Sequence, residues 1–163
     1  MDDKCRQLVN EQSYSEAEKT CSDAANLSNK LPAAAVLERS GAQSLLGHAL
    51  LLQGKTDEAL PHYQEALTLN LTYLKLDDAD LASNYADWGR ADFRLGDFEK
   101  GDPFFSKAVG TFEAASLNLP RMKDNYTQRL KNTLLEYAQF QRAAGQNDEA
   151  DALEQKAHSL RAD

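Results

Sequence analysis

Residues 54–69 read GKTDEALPHYQEALTL, and the pattern returns 42 residues later as GDFEKGDPFFSKAVGT at 96–111. Gly54 meets Gly96, Pro61 meets Pro103, Tyr63 meets Phe105, and Ala66 meets Ala108. At the same distance upstream stands QSYSEAEKTCSDAANL, residues 12–27. There Glu16, Ala17, Ala24 and Leu27 hold the slots of Glu58, Ala59, Ala66 and Leu69. A fourth copy, GQNDEADALEQKAHSL at 145–160, follows the third by 49 residues and carries Glu149, Ala150, Ala157 and Leu160 in those slots. A repeat of this size constrains the fold more than any other feature. Each copy is one supersecondary unit that buries its apolar face only against its neighbours.

The segments before each copy also align: LLGHALLLQG at 45–54, DWGRADFRLG at 87–96 and, more loosely, EYAQFQRAAG at 136–145. Each unit is thus an apolar-periodic stretch, a short polar or Gly-containing turn, and a second such stretch. Ala59, Tyr63, Ala66 and Leu67 fall at i, i+4, i+7 and i+8, one face of a helix, and no period-two alternation suggests a strand. Pro61 and Pro103 fall about one turn into their helices, where a lost hydrogen bond costs least. With 8 Gly and 4 Pro in 163 residues, a turn-rich all-β fold is excluded. The expectation is a single all-α domain, residues 1–163, of four antiparallel helical hairpins at about 1–30, 31–74, 77–117 and 121–162.

These residues resemble the tetratricopeptide repeat, whose pattern runs W-x2-L-G-x2-Y, then A-x3-F, then Pro. Leu46-Gly47 and Trp88-Gly89 match its first helix; Ala59 with Tyr63, and Gly101 with Phe105, match its second. The 42-residue period exceeds the usual ~34 by roughly two helical turns. It is similar to the longer repeats of kinesin-light-chain type, whose second helix often reads EAEPLY; YSEAEKTC at 14–21 and TDEALPHY at 56–63 are the counterparts here. The resemblance implies a right-handed superhelical solenoid. In the fourth unit Ala138 takes the glycine slot and Glu154 the aromatic slot, as suits a polar terminal cap.

The sequence offers little to catalysis. It contains no Gly-rich phosphate loop, no G-x-S-x-G and no H-E-x-x-H, and no metal or other cofactor is expected. His48, His62 and His158 fall in three different helices, and His62 and His158 are expected on solvated surfaces. Asp77 and Asp78 are expected to solvate a linker or cap the helix after it. Twenty-six acidic against 18 basic residues give a net charge of −8, which disfavours nucleic acid as a partner. No apolar run approaches the ~20 residues of a membrane span, and the initial Met-Asp-Asp lacks the character of a secretory signal.

The resemblance implies a non-enzymatic scaffold that binds a protein or peptide segment in a groove lined by the first helices. By alignment, the residue after each glycine slot faces that groove: Arg6, His48, Arg90 and Gln139. One turn on come Val9, Leu51, Phe93 and Arg142, then Asn10, Leu52, Arg94 and Ala143. Four arginines in this strip, in an acidic protein, suggest an acidic or carboxylate-bearing ligand beside an apolar patch of Leu51, Leu52 and Phe93. The competing reading pairs these arginines with the chain's own carboxylates, such as Asp87 or Glu136. The carboxylate clamp of chaperone-tail binders is absent, because its lysine slots read Asp2, Ser44, Ala86 and Leu135. A function of another class is a regulatory or self-assembly module of a larger, exported protein, with homo-oligomers as its expected form.

Cys5 and Cys21, the two cysteines, fall in the first unit's glycine and aromatic slots. In the resembling fold these slots face each other, which brings the Cα atoms to roughly 4–6 Å. Four metal ligands and a C-x-x-C spacing are both missing. A disulfide and two buried free thiols remain. A disulfide fits a bacterial periplasmic or secreted protein; free thiols fit the cytoplasm equally well.

Overall fold

The computed structural model describes residues 2–73, 78–118 and 120–160. These form eight α-helices and one 3-10 turn, with no strand among the described residues. The helices are α1 (Asp2–Asn10), α2 (Tyr14–Ser28), α3 (Val36–Leu52), α4 (Thr56–Tyr73), α5 (Ala79–Arg94), α6 (Phe98–Asn118), α7 (Lys123–Ala143) and α8 (Asn147–Ser159). The 3-10 turn, Pro120–Met122, precedes α7. They pair as the repeat requires: α1 with α2, α3 with α4, α5 with α6 and α7 with α8. The chain divides into two compact units, Met1–Leu74 and Lys75–Asp163, each holding two hairpins. Asp77 lies outside the described residues, as do positions 1, 74 and 162 of the expected repeat boundaries. Asp78 does cap α5: its Oδ1 accepts from the Asp80 N–H at 2.9 Å.

All four hairpins turn in the same way. The backbone N–H groups of Ser13, Lys55, Asp97 and Gln146 reach back to the carbonyls of Leu8, Leu50, Asp92 and Gln141 at 2.8–3.0 Å. This closes each first helix with a left-handed residue, the Schellman arrangement. That residue is Gly54, Gly96 and Gly145 in three copies, with φ of 78°, 78° and 83°. In the first copy it is Gln12, at φ 60°. Pro61 and Pro103 lie inside α4 and α6. Each is the sixth residue of its helix, past the four N–H groups that have no helical partner, so each does forgo a backbone bond.

The core of each hairpin sits where the two backbones approach. A Cβ on Gly47 would stand 2.8 Å from the ring of Tyr63, and one on Gly89 2.6 Å from the ring of Phe105. Tyr63 and Phe105 are fully buried. In unit 2 the contact is reciprocal, because a Cβ on Gly101 would meet Phe93 at 2.6 Å. Phe93, Phe105, Tyr137 and Phe140 then form a ring cluster, with Phe105 and Tyr137 stacked at 5.2 Å between centroids. In unit 1 the first hairpin replaces glycine and aromatic by Cys5 and Cys21. The structure places them at disulfide distance, with Cα atoms 5.2 Å apart and both side chains buried.

Candidate functional site

The first helices of unit 2, α5 and α7, lie against each other and enclose a cleft of about 190 Å³ floored by Phe112 of α6. Its rim is polar: Ser83, Asp87 and Arg90 from α5, and Arg129, Asn132 and Glu136 from α7. Arg90 is held by the chain's own acids. Its Nε and Nη2 donate to the two oxygens of Glu136 at 2.5 and 2.7 Å, and its Nη1 donates to Asp87 Oδ1 at 2.6 Å. The fork of Arg90 is thereby fully directed at two carboxylates in a half-buried setting.

Arg129 is placed differently. Its Nη2 donates to the Ser83 hydroxyl and, at 3.4 Å, to the Ala79 carbonyl, both uncharged acceptors. Asp80 stands 3.9 Å away. The guanidinium carbon lies 5.0 Å from the centroid of the Phe112 ring, a cation–π contact that fixes its plane. No carboxylate hydrogen-bonds to Arg129 among the described residues, so its charge is neutralised far less than that of Arg90.

The residues expected in the groove are distributed as follows. Arg6 is exposed on α1, His48 and Leu52 are partly exposed on α3, and Gln139 is exposed on α7. Arg94 is exposed at the end of α5. Arg142 is exposed but engaged, donating to Asp151 at 2.9 Å and Glu154 at 2.8 Å. Two expectations are corrected. Leu51 is fully buried and Phe93 is 4% exposed, so neither offers surface to a ligand. Phe93 is inside because its ring packs on Phe98, Phe105 and Phe140 and covers Gly101. The apolar patch is thereby reduced to Leu52. His62 is a third correction. It is half-buried rather than solvated, and its Nδ1 lies 2.8 Å from the Oε1 of the buried Gln43. Burial holds its pKa below the ordinary histidine value.

Arg129 escapes the sequence alignment, because it lies ahead of the glycine-slot segments. The acidic row was within reach: Asp87 and Glu136 precede Arg90 and Gln139 by three residues, on the same helical face. Among the described residues no group of histidine, cysteine, aspartate or glutamate is arranged to hold a metal, and no helix is long and apolar enough to cross a membrane. The exposed large apolar side chains include Leu27, Leu37, Leu71, Tyr73 and Leu117; among the described residues none lies on α1 or α8.

A family model described as tetratricopeptide repeat matches residues 38–114. Among solved structures, the chain is similar to BtubC (BKLC) from P. vanneervenii, with a TM-score of 0.56 and 18% identity over 96% of this chain and 76% of that one. It is also similar to the nearly identical TPR-like repeats of a kinesin-light-chain protein from Podosopora anserina. The TM-score there is 0.59, with 12% identity over 98% of this chain and 92% of the other. At such identities the likeness is one of fold. No curated protein matches the sequence.

Proposed function

From the premise that this chain belongs to the tetratricopeptide repeat family, we propose that it is a non-catalytic scaffold that binds a peptide or protein segment in the α5–α7 cleft. The observation that carries this reading is Arg129, a cation held in place by neutral acceptors and an aromatic face on the rim of that cleft. Such a guanidinium is pre-oriented, and its Nη1 and Nε keep N–H donors that no hydrogen bond among the described residues uses, which favours a carboxylate-bearing ligand. Asp87 and Glu136 limit the choice. A segment with one carboxylate beside uncharged residues fits, whereas a run of acids is repelled by the two carboxylates that clamp Arg90.

The test is an array of short peptides carrying zero, one or four carboxylates, probed with the wild type, Arg129→Gln and Glu136→Gln. The wild type is expected to select singly acidic peptides. Arg129→Gln should lose them by tenfold or more, and Glu136→Gln should gain the tetra-acidic ones. Peptide binding indifferent to Arg129→Gln sinks the proposal.

A further inference from the structure

The α5–α7 cleft has two electrically opposite ends. Its helices run side by side in a single register: Arg129 reaches Ser83 and Glu136 reaches Arg90, and both pairs are 46 residues apart. The two contacts lie seven positions apart on either helix, Ser83 to Arg90 and Arg129 to Glu136. At about 1.5 Å of rise per residue, the two levels stand about 10 Å apart along the cleft.

At the first level the charge is positive. Arg129 Nη2 donates only to the Ser83 hydroxyl and the Ala79 carbonyl, and Asp80, with its side chain 57% exposed, stands 3.9 Å off without a hydrogen bond. At the second level the charge is negative. Asp87 and Glu136 share the single guanidinium of Arg90, and neither side chain has another hydrogen-bond or ion-pair partner among the described residues. Two carboxylates on one cation leave a negative charge uncompensated. Their side chains are 19% and 28% exposed. Water screens that charge only in part, yet a ligand atom can reach it. Between the levels the lining, Ala86, Asn132 and Thr133, is uncharged.

We infer, resting on the reading of this cleft proposed above, that the segment it receives is dipolar. It carries a carboxylate for Arg129 and, three positions away in its chain, a lysine or arginine for Asp87 and Glu136. Three residues of polyproline II backbone advance about 9 Å and complete one turn, so both side chains face the same way at the spacing of the two levels. An acid and a base in adjacent positions advance only about 3 Å and point in different directions, so they match the two levels less well. A lone acid leaves the charge of the second level unanswered, and a run of acids adds to it.

Peptides without free termini would be titrated into the full chain and Kd read from amide NMR shifts. They are acetyl-Gly-Asp-Pro-Pro-Lys-Gly-amide, its Nε-acetyl-lysine form, and the isomer acetyl-Gly-Pro-Asp-Lys-Pro-Gly-amide. The spaced lysine peptide should bind about fivefold tighter than its acetylated form, the upper range for a partly screened ion pair. The adjacent isomer should bind nearer to the acetylated form than to the spaced one. Glu136→Gln and Asp87→Asn each leave one carboxylate for Arg90, so each should erase the gain from the lysine. If neither form binds, or both bind Arg129→Gln as they bind the wild type, the reading of the cleft and the inference fall together. If binding needs Arg129 but the lysine adds nothing, the adjacent pair gains as much, or the gain survives both substitutions, the inference alone is overturned.

Discussion

Alanine in place of glycine at two positions of unit 2 should move stability in opposite directions. Gly89 and Gly110 both lie inside helices, α5 and α6. At Gly89 the new methyl would stand 2.6 Å from Phe105 Cδ2 and 3.1 Å from the Gly101 carbonyl oxygen. Carbon contacts relax near 3.5 Å, so the helices must part by about 1 Å or the ring must move. The ring is fully buried, between Phe93 at 5.6 Å, Tyr137 at 5.2 Å and Phe140 at 5.6 Å. Overpacking of this kind costs about 1–3 kcal/mol, here at the upper end because both obstacles are fixed. Alanine returns about 1 kcal/mol of helix propensity, so Gly89→Ala should destabilise by about 2 kcal/mol. At Gly110 a Cβ meets nothing within 4 Å, so Gly110→Ala should stabilise by about 1 kcal/mol. Urea unfolding followed by tryptophan fluorescence reads this directly. Trp88 is the sole tryptophan and stacks on Phe104 at 4.9 Å within the same hairpin. A Gly89→Ala midpoint at or above wild type, or a Gly110→Ala midpoint below it, refutes the close-approach reasoning.

Three further outcomes are expected. Gln12→Gly should raise stability by about 0.5–1 kcal/mol in thermal or urea unfolding, because Gln12 holds a left-handed turn that its three counterparts give to glycine; a loss would mean that the turn is not strained. Thiol titration in denaturant should find no reactive cysteine before reductant and two after, and reduction should loosen the α1–α2 hairpin by up to about 3 kcal/mol for a bridge spanning 16 residues. Asp92 is 5% exposed, and its Oδ2 has no hydrogen-bond partner among the described residues. Burial first, and Asp97 second, hold its pKa above the ordinary carboxylate value. A raised carboxylate pKa favours the folded state as pH falls, so Asp92→Asn should stabilise by about 1–3 kcal/mol at pH 7 and by less near pH 4. A gain that does not change with pH would assign the effect to packing instead.

The hairpins were legible because their determinants are local and recur. A glycine facing an aromatic marks the second and third copies, and a left-handed residue closes the first helix in all four. The slot equivalence of Cys5 with Gly47, and of Cys21 with Tyr63, placed the two thiols correctly for the same reason. Surface assignment fared worse. Leu51 and Phe93 share a helical face with groove positions, yet both are buried, Phe93 beneath Phe105 and Phe140. Arg90 could be counted as a cation from the sequence, but its engagement by Glu136, 46 residues on, depends on how two hairpins stack. His62 is half-buried for a similar reason, since its partner Gln43 comes from the other helix of the hairpin. Periodicity reports which residues share a face; it does not report what covers that face.

A peptide seated between α5 and α7 of unit 2 would sit against Arg129. An amide NMR titration of the full chain with the best singly acidic peptide tests this seating most directly. Shifts should concentrate at Ser83, Asp87, Arg129, Asn132 and Glu136, and should be lost in Arg129→Gln. Shifts confined to other helices, or the same shifts in Arg129→Gln, would contradict it.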